Sequence, residues 1–301
     1  MRRKIVQHGS SSLTITLPFS WVKTYNLKKG DELNVEVEGP KLSITTHQPQ
    51  LMSKKSVEST DFGLFTRNNL THLYQDGYDE IEIKFNDADE LNGIKQHMPE
   101  CIGFEIIDQK NNRLFIKSIA HTMDSDFDVL LRKSFLVTNE LAENVLDALK
   151  KREFSRLAEI SNLESLNNKF TNCCNRIIMK QGYSNPRRIP QIYSLVKMLE
   201  RIADEYKYIC NLYKDFDGKI DKDLLEYFKA VNELYLTFYK MFYKFDPEFK
   251  KRIYLDGKRL LSKGESMLSM SKGKNSLLLH YLLNIARKTN DISGAYFALM
   301  L

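Results

Sequence analysis

The sequence predicts a mainly α-helical chain with a small β module at its N-terminus and a small α+β segment between the two. Three observations lead there. Apolar and polar residues alternate with period two in short runs within the first 46 positions. Residues 58–120 then switch between helical and strand periods in the order αβαββ. From residue 125 onward the apolar residues recur at helical spacing, in six long stretches with short breaks. The domains this defines are 1–48, 58–120 and 124–301.

In the first segment, Ile5 and the run Leu13-Thr14-Ile15-Thr16-Leu17 alternate as a half-buried strand does. Pro18 stops the run, and Ser20 is placed to cap a short helix over 21–25. Asn26-Leu27-Lys28-Lys29-Gly30-Asp31 reads as a turn in which Gly30 takes a positive φ. Residues 33–38 alternate again, Gly39-Pro40 turns the chain, and residues 41–45 close a hairpin. A segment this short buries too little apolar surface to stand alone, so dimerisation through residues 2–46 is expected.

Residues 47–60 are polar, contain Pro49 and read as a linker. A helix over 62–75, ended by Gly77, precedes a strand over 80–85. A second helix over 87–98 has Asp87 or Asp89 near its start. Strands over 103–108 and 113–119 are joined by a loop containing Asn111-Asn112.

The six long helices are expected at about 125–150, 153–181, 186–214, 219–245, 247–270 and 274–300. Asp246-Pro247 supplies an N-cap followed by proline at the first helical position. Ile192, Val196, Leu199, Ala203, Tyr206 and Cys210 form one stripe, and Leu278, Leu282, Ile285, Ile292 and Tyr296 another. Long helices with narrow stripes and short connections imply an antiparallel bundle, here two sets of three helices.

The chain has 301 residues and a net charge of +6. Arg2, Arg3, Lys4, Lys23, Lys28 and Lys29 all precede the first acid, Asp31, which leaves a basic tip suited to a polyanion. The four cysteines, Cys101, Cys173, Cys174 and Cys210, form no C-x-x-C pair and read as reduced core thiols of a cytoplasmic protein. The six histidines show no ligand spacing, which argues against a zinc site. The Arg2-Arg3-Lys4 start lacks a following cleavage signal, and no apolar run approaches a membrane span, so no membrane insertion is expected. There is no phosphate-cradling glycine loop, no nucleophile elbow and no H-E-x-x-H, and the chain is expected not to be an enzyme.

Residues 3–18, Arg-Lys-Ile-Val-Gln-His-Gly-Ser-Ser-Ser-Leu-Thr-Ile-Thr-Leu-Pro, then Trp21-Val22 and Leu27-Lys-Lys-Gly-Asp-Glu-Leu33, resemble the swapped-hairpin DNA-binding modules of the AbrB/SpoVT class. Many members carry Gly-Arg at the first turn, where this chain has Gly9-Ser10-Ser11-Ser12. The resemblance implies a homodimer that contacts DNA. The candidate contacts are Arg2, Arg3, Lys4 and Lys23, whose charges reach phosphates, and Ser10, Ser11 and Ser12, whose loop offers main-chain N–H groups.

Leu199-Glu200-Arg201-Ile202-Ala203-Asp204 resembles the L-E-R-I-x-D signature of the PhoU family, whose fold is six helices in two three-helix repeats. In that family each repeat carries E-x-x-x-D-x-x-x-N, and the carboxylates can hold metals. Glu200 and Asp204 match that pattern and Tyr208 stands at the Asn position. The second repeat places Leu283 and Arg287, or Ala286 and Asn290, where its carboxylates belong. Two carboxylates are few for a hard cation, and Glu200 can instead pair with Arg201, Lys197 or Arg287. No cofactor is expected, with a divalent metal at Glu200 and Asp204 as the lesser expectation.

The fifth long helix is basic, with Lys250, Lys251, Arg252, Lys258, Arg259 and Lys263 forming a surface that is solvated or meets an acidic partner or DNA. The two resemblances in this order look like the archaeal-type phosphate-uptake regulators. They imply a DNA-binding regulator of phosphate homeostasis, with the PhoU-like part sensing a ligand or binding a partner. An adaptor that contacts a phosphate transporter or sensor without binding DNA is the alternative.

Overall fold

In a computed structural model, which describes residues 2–46, 52–63, 65–119 and 127–300, the chain is mainly helical with a small N-terminal β module. It divides into two units, residues 1–53 and 54–301.

The N-terminal unit holds two separate antiparallel ribbons. In the first, β1 (Val6–His8) pairs with β2 (Ser12–Thr14), with Val6 opposite Thr14 and His8 opposite Ser12. A short helix, α1 (Phe19–Thr24), follows Pro18 directly, and no side chain caps it, so Ser20 lies inside the helix rather than before it. The next turn is held by Asp31, whose carboxylate accepts a 2.7 Å hydrogen bond from the Lys28 N–H, with Gly30 at φ +98°. The second ribbon pairs β3 (Leu33–Glu38) with β4 (Lys41–Thr46).

The second unit opens with a four-stranded sheet. Residues 54–58 of the expected linker form β5 (Lys54–Glu58), parallel to β6 (Glu80–Lys84), and residues 47–51 lie outside the described residues. The order is therefore βαβαββ, with the sheet arranged β5-β6-β8-β7, where β7 is Phe104–Lys110 and β8 is Arg113–Ser118. The linker composition hid β5 because only Val57 of that strand is buried, and an edge strand tolerates polar residues on its outer side. The helix expected from residue 62 starts later, as α2 (Arg67–Gln75). Thr66 caps it, and Asn69 Oδ1 accepts from the Thr66 N–H at 2.8 Å. Gly77, at φ +89°, ends the turn that follows. Asp87 caps α3 (Ala88–His97), accepting from the Glu90 N–H at 2.8 Å. Ile81, Ile83, Leu114 and Ile116 alternate inward from the two central strands and pack under Leu70 and Tyr74 of α2.

Six long helices follow: α4 (Phe127–Lys151), α6 (Asn162–Gln181), α7 (Ile189–Tyr213), α8 (Lys222–Tyr243), α9 (Pro247–Met270) and α10 (Lys274–Met300). The second expected helix is interrupted. Arg152 takes φ +62°, a one-turn α5 (Leu157–Ile160) follows, and α6 begins only after Ser161, whose hydroxyl donates to the Ala158 carbonyl. Leu157 and Ile160 are buried, which keeps that turn on the core. Both expected stripes on α7 and α10 are buried, and the core between helices is rich in aromatics such as Phe135, Phe228, Tyr235 and Phe238. All four cysteines are buried thiols. No helix among the described residues is long and apolar enough to cross a membrane.

Candidate nucleic-acid interface

Pleating and turn chemistry place the candidate contacts of the N-terminal unit. Gly9, at φ +71°, lets the chain reverse between β1 and β2, so Ser10 and Ser11 sit at the ribbon tip and Ser12 starts the return strand. Arg2, Arg3 and Lys4 precede the open end of the same ribbon. The two groups therefore lie at opposite ends of β1–β2 within one chain, and the structure does not bring them together. Lys23 is in the last turn of α1. All seven side chains are exposed, and none of the four bases has a carboxylate partner among the described residues.

Many apolar residues of this unit are exposed as well. Leu13 is 71% exposed, Phe19 76% and Val37 76%, and no described residue from 2 to 46 is buried. Val35 and Val37 stand opposite Ile44 and Leu42, so all four lie on one face of the second ribbon. The family model described as antidote-toxin recognition MazE, bacterial antitoxin, matches residues 6–48. That match spans both ribbons and α1, and it supports the swapped-hairpin reading of the segment. Neither a curated protein nor a solved structure matches the chain. The MazE-like module thus combines free bases with an apolar surface that one copy leaves uncovered.

Glu200 and Asp204 lie one turn apart on α7, but they do different things. Glu200 accepts from Lys197 at 2.9 Å, one of the three pairings the sequence allowed. Arg287 pairs instead with Glu265 at 2.9 Å. Asp204 turns to α6, where it hydrogen-bonds the fully buried Glu164. Glu164 also accepts from Lys207 at 2.7 Å and Asn168 at 2.8 Å, with Arg67 of α2 at 3.9 Å. Burial, then the hydrogen bond and charge of Glu164, push the Asp204 carboxyl up to about 7. Burial raises Glu164 too, but its hydrogen bonds, led by that from Lys207, leave it below the ordinary range. Below about pH 7 the pair holds one proton, carried on Asp204 and donated to Glu164. Among the described residues no three His, Cys, Asp or Glu side chains are grouped to hold a metal ion. Tyr208 is exposed beside Tyr281, while Leu283 and Ala286 are buried in the core.

Glu164, Lys207 and Arg67 were not among the residues singled out in the sequence. A signal for their surroundings was present: Asn167-Asn168, Thr171-Asn172 and Asn175-Arg176 recur every four residues, marking a polar stripe on one face of α6. That stripe is buried: Asn167 donates to Ser134 and Thr138 of α4, while Asn172 and Arg176 lie where the α+β segment docks on the helix. Arg176 donates to the carbonyls of Tyr74 and Tyr78 and to Asp79, each at 2.8 Å, and Gln75 donates to Asn172 at 2.7 Å. Lys180 pairs with the same Asp79.

Proposed function

We propose that this chain is a homodimeric DNA-binding regulator of phosphate uptake, acting in the cytoplasm and without catalytic activity. Its N-terminal module pairs with a second copy and contacts DNA, and its helical part senses a ligand or binds a transporter or sensor component. The observation that carries the reading is the joint exposure, in one short module, of unpaired bases and of apolar side chains. The apolar surface calls for a second copy, and pairing doubles Arg2, Arg3, Lys4 and Lys23. The match to the antitoxin family model supports the regulatory part of the reading. The phosphate part is supported by the Leu199–Asp204 string on α7 and by six long helices at the expected places. A ligand bound in the helical part regulates DNA affinity only by binding the two states of the dimer unequally.

The ribbon tip carries Ser10–Ser12 with no arginine, and this favours a second reading: an adaptor that dimerises through the module and touches a phosphate transporter or sensor without binding DNA. Duplex binding as a function of salt separates the two. If Arg2, Arg3 and Lys4 of both protomers contact phosphates, six contacts give a slope of log K against log salt of about −5. Replacing all three by Ala should weaken binding to specific and random sequences alike and flatten that slope, because phosphate contacts position rather than specify. The melting temperature and dimerisation should hardly change. Absence of any affinity of the wild-type chain for its own upstream DNA at low salt would establish the adaptor instead.

A further inference from the structure

The bases of α9 and the end of α10 line an open pocket that the regulatory reading leaves without a role. Helices α9 and α10 are antiparallel and pack closely along part of their length. A Cβ added at Gly264 would overlap Tyr227 and Leu283, and one added at Gly257 would overlap Asn290. A Cβ at Gly294 would meet nothing within 4 Å. The space that opens there measures about 720 Å³, within the range of small-molecule sites. Its walls include Ile253, Tyr254, Leu261 and Phe297.

Three lysines, Lys250, Lys251 and Lys258, line the same space, and none of its lining residues is Asp or Glu. Lys250 lies 4.5 Å from the centre of the Phe297 ring, so its charge is held over the apolar wall. None of the three has a carboxylate partner among the described residues, although nearby Arg252 and Arg259 both pair with Asp256. Asn290 and Ser293 add polar groups on the α10 side. An apolar pocket with a few convergent groups of one charge selects a ligand with an apolar body and an anionic head.

We propose that this pocket binds a small amphiphilic organic anion, its apolar body against Tyr254 and Phe297 and its carboxylate or phosphate head toward Lys250, Lys251 and Lys258. The site is independent of the DNA-binding reading. It gives the helical part an effector chemistry without using Glu200 or Asp204.

Calorimetric titration of the full chain with decanoate and decanol tests it. Decanoate should bind one per chain. Decanol, equal in apolar body, should bind roughly tenfold more weakly, since it carries no charge for the three exposed lysines to meet and exposed charge contacts contribute little each. Gly294→Leu should fill the pocket and weaken decanoate at least ~10-fold. Its melting temperature should not fall, because the new side chain enters open space on a helix that gains from losing a glycine. Lys250→Gln, Lys251→Gln and Lys258→Gln together should erase the preference for decanoate and keep the binding of decanol. Equal binding of the two ligands by the wild-type chain overturns the proposal, as does a Gly294→Leu variant that binds decanoate unchanged. If decanoate does not bind and Gly294→Leu alters the sedimenting mass, the face belongs to a second copy and the small-ligand site is refuted.

Discussion

Arg176 and Asp79 are nearly inaccessible and pair with each other at 2.8 Å. Arg176→Ala leaves Asp79 buried beside Lys180, and takes one donor each from the Tyr74 and Tyr78 carbonyls. Because Lys180 still compensates Asp79, the loss is that of charged hydrogen bonds left unmade, about 1–3 kcal/mol. The midpoint of urea unfolding should fall accordingly, with far-ultraviolet circular dichroism still helical before the transition. A loss under 1 kcal/mol would mean that the docking of α2 on α6 rests on other contacts. The Asp204–Glu164 pair makes a prediction in pH. Asp204 is raised in the folded chain, so its contribution to stability is complete below its ordinary value and is lost as pH rises through about 7. Glu164 is lowered, so its contribution is present above its ordinary value and lost only in stronger acid. Between about pH 5 and about pH 8 the chain should therefore lose stability through Asp204. Asp204→Asn keeps a donor to Glu164 but does not titrate, and its melting temperature should vary less over that interval. Parallel curves for the two proteins would show that the proton is not shared. Asp204 could be named from the sequence by its place in the Leu199–Asp204 string. Its partner could not, because the register of α6 against α7 fixes the contact and a single helix does not encode it.

Elements show the same division between what local pattern specifies and what packing decides. The six long helices, the Asp246-Pro247 start and both buried stripes were readable, because each depends on spacing within one segment. β5 was not, because its pairing partner lies across α2 and its own residues are mostly polar. The break at Ser161 was not, because propensity alone would carry the helix through Leu157 and Ile160. The glycines of α9 belong to the packing class: from sequence they only weaken a helix, yet in the fold they set how near α10 comes. Gly264→Ala should therefore destabilise by about 1–3 kcal/mol, as overpacking does, against a helix-propensity gain of about 1 kcal/mol. Tyr227 cannot step aside cheaply, since its hydroxyl is buried and donates to the Leu260 carbonyl at 3.0 Å. Thermal unfolding of Gly264→Ala beside Gly294→Ala gives the contrast, with the first expected to melt lower than wild type and the second at or above it. Equal gains at both positions would mean that α9 and α10 part freely at Gly264.

At the scale of the whole molecule, the two units differ in what one copy can bury. Residues 54–301 enclose a core of their own, whereas residues 2–46 have no buried residue among those described. Ribbons of two strands are at best marginally stable in water without a surface to pack on. Val35, Val37, Leu42 and Ile44 give the second ribbon an apolar face, and three of them are more than half exposed in a single copy. Burying such side chains fully contributes about 1.5–3 kcal/mol each, which is enough to hold two modules together at micromolar concentration. Val37 and Leu42 are cross-strand partners, so Val37→Asp with Leu42→Asp places two like charges side by side on that face. The double variant should sediment as a monomer and lose DNA affinity, since each monomer then presents only half of the bases. Its main thermal transition should remain, because the helices of the second unit do not depend on these residues for their core. A double variant that still sediments at the wild-type mass would place the dimer contact outside the β3–β4 face. One that becomes monomeric yet binds duplex DNA with the wild-type salt slope would show that pairing is not what assembles the basic surface.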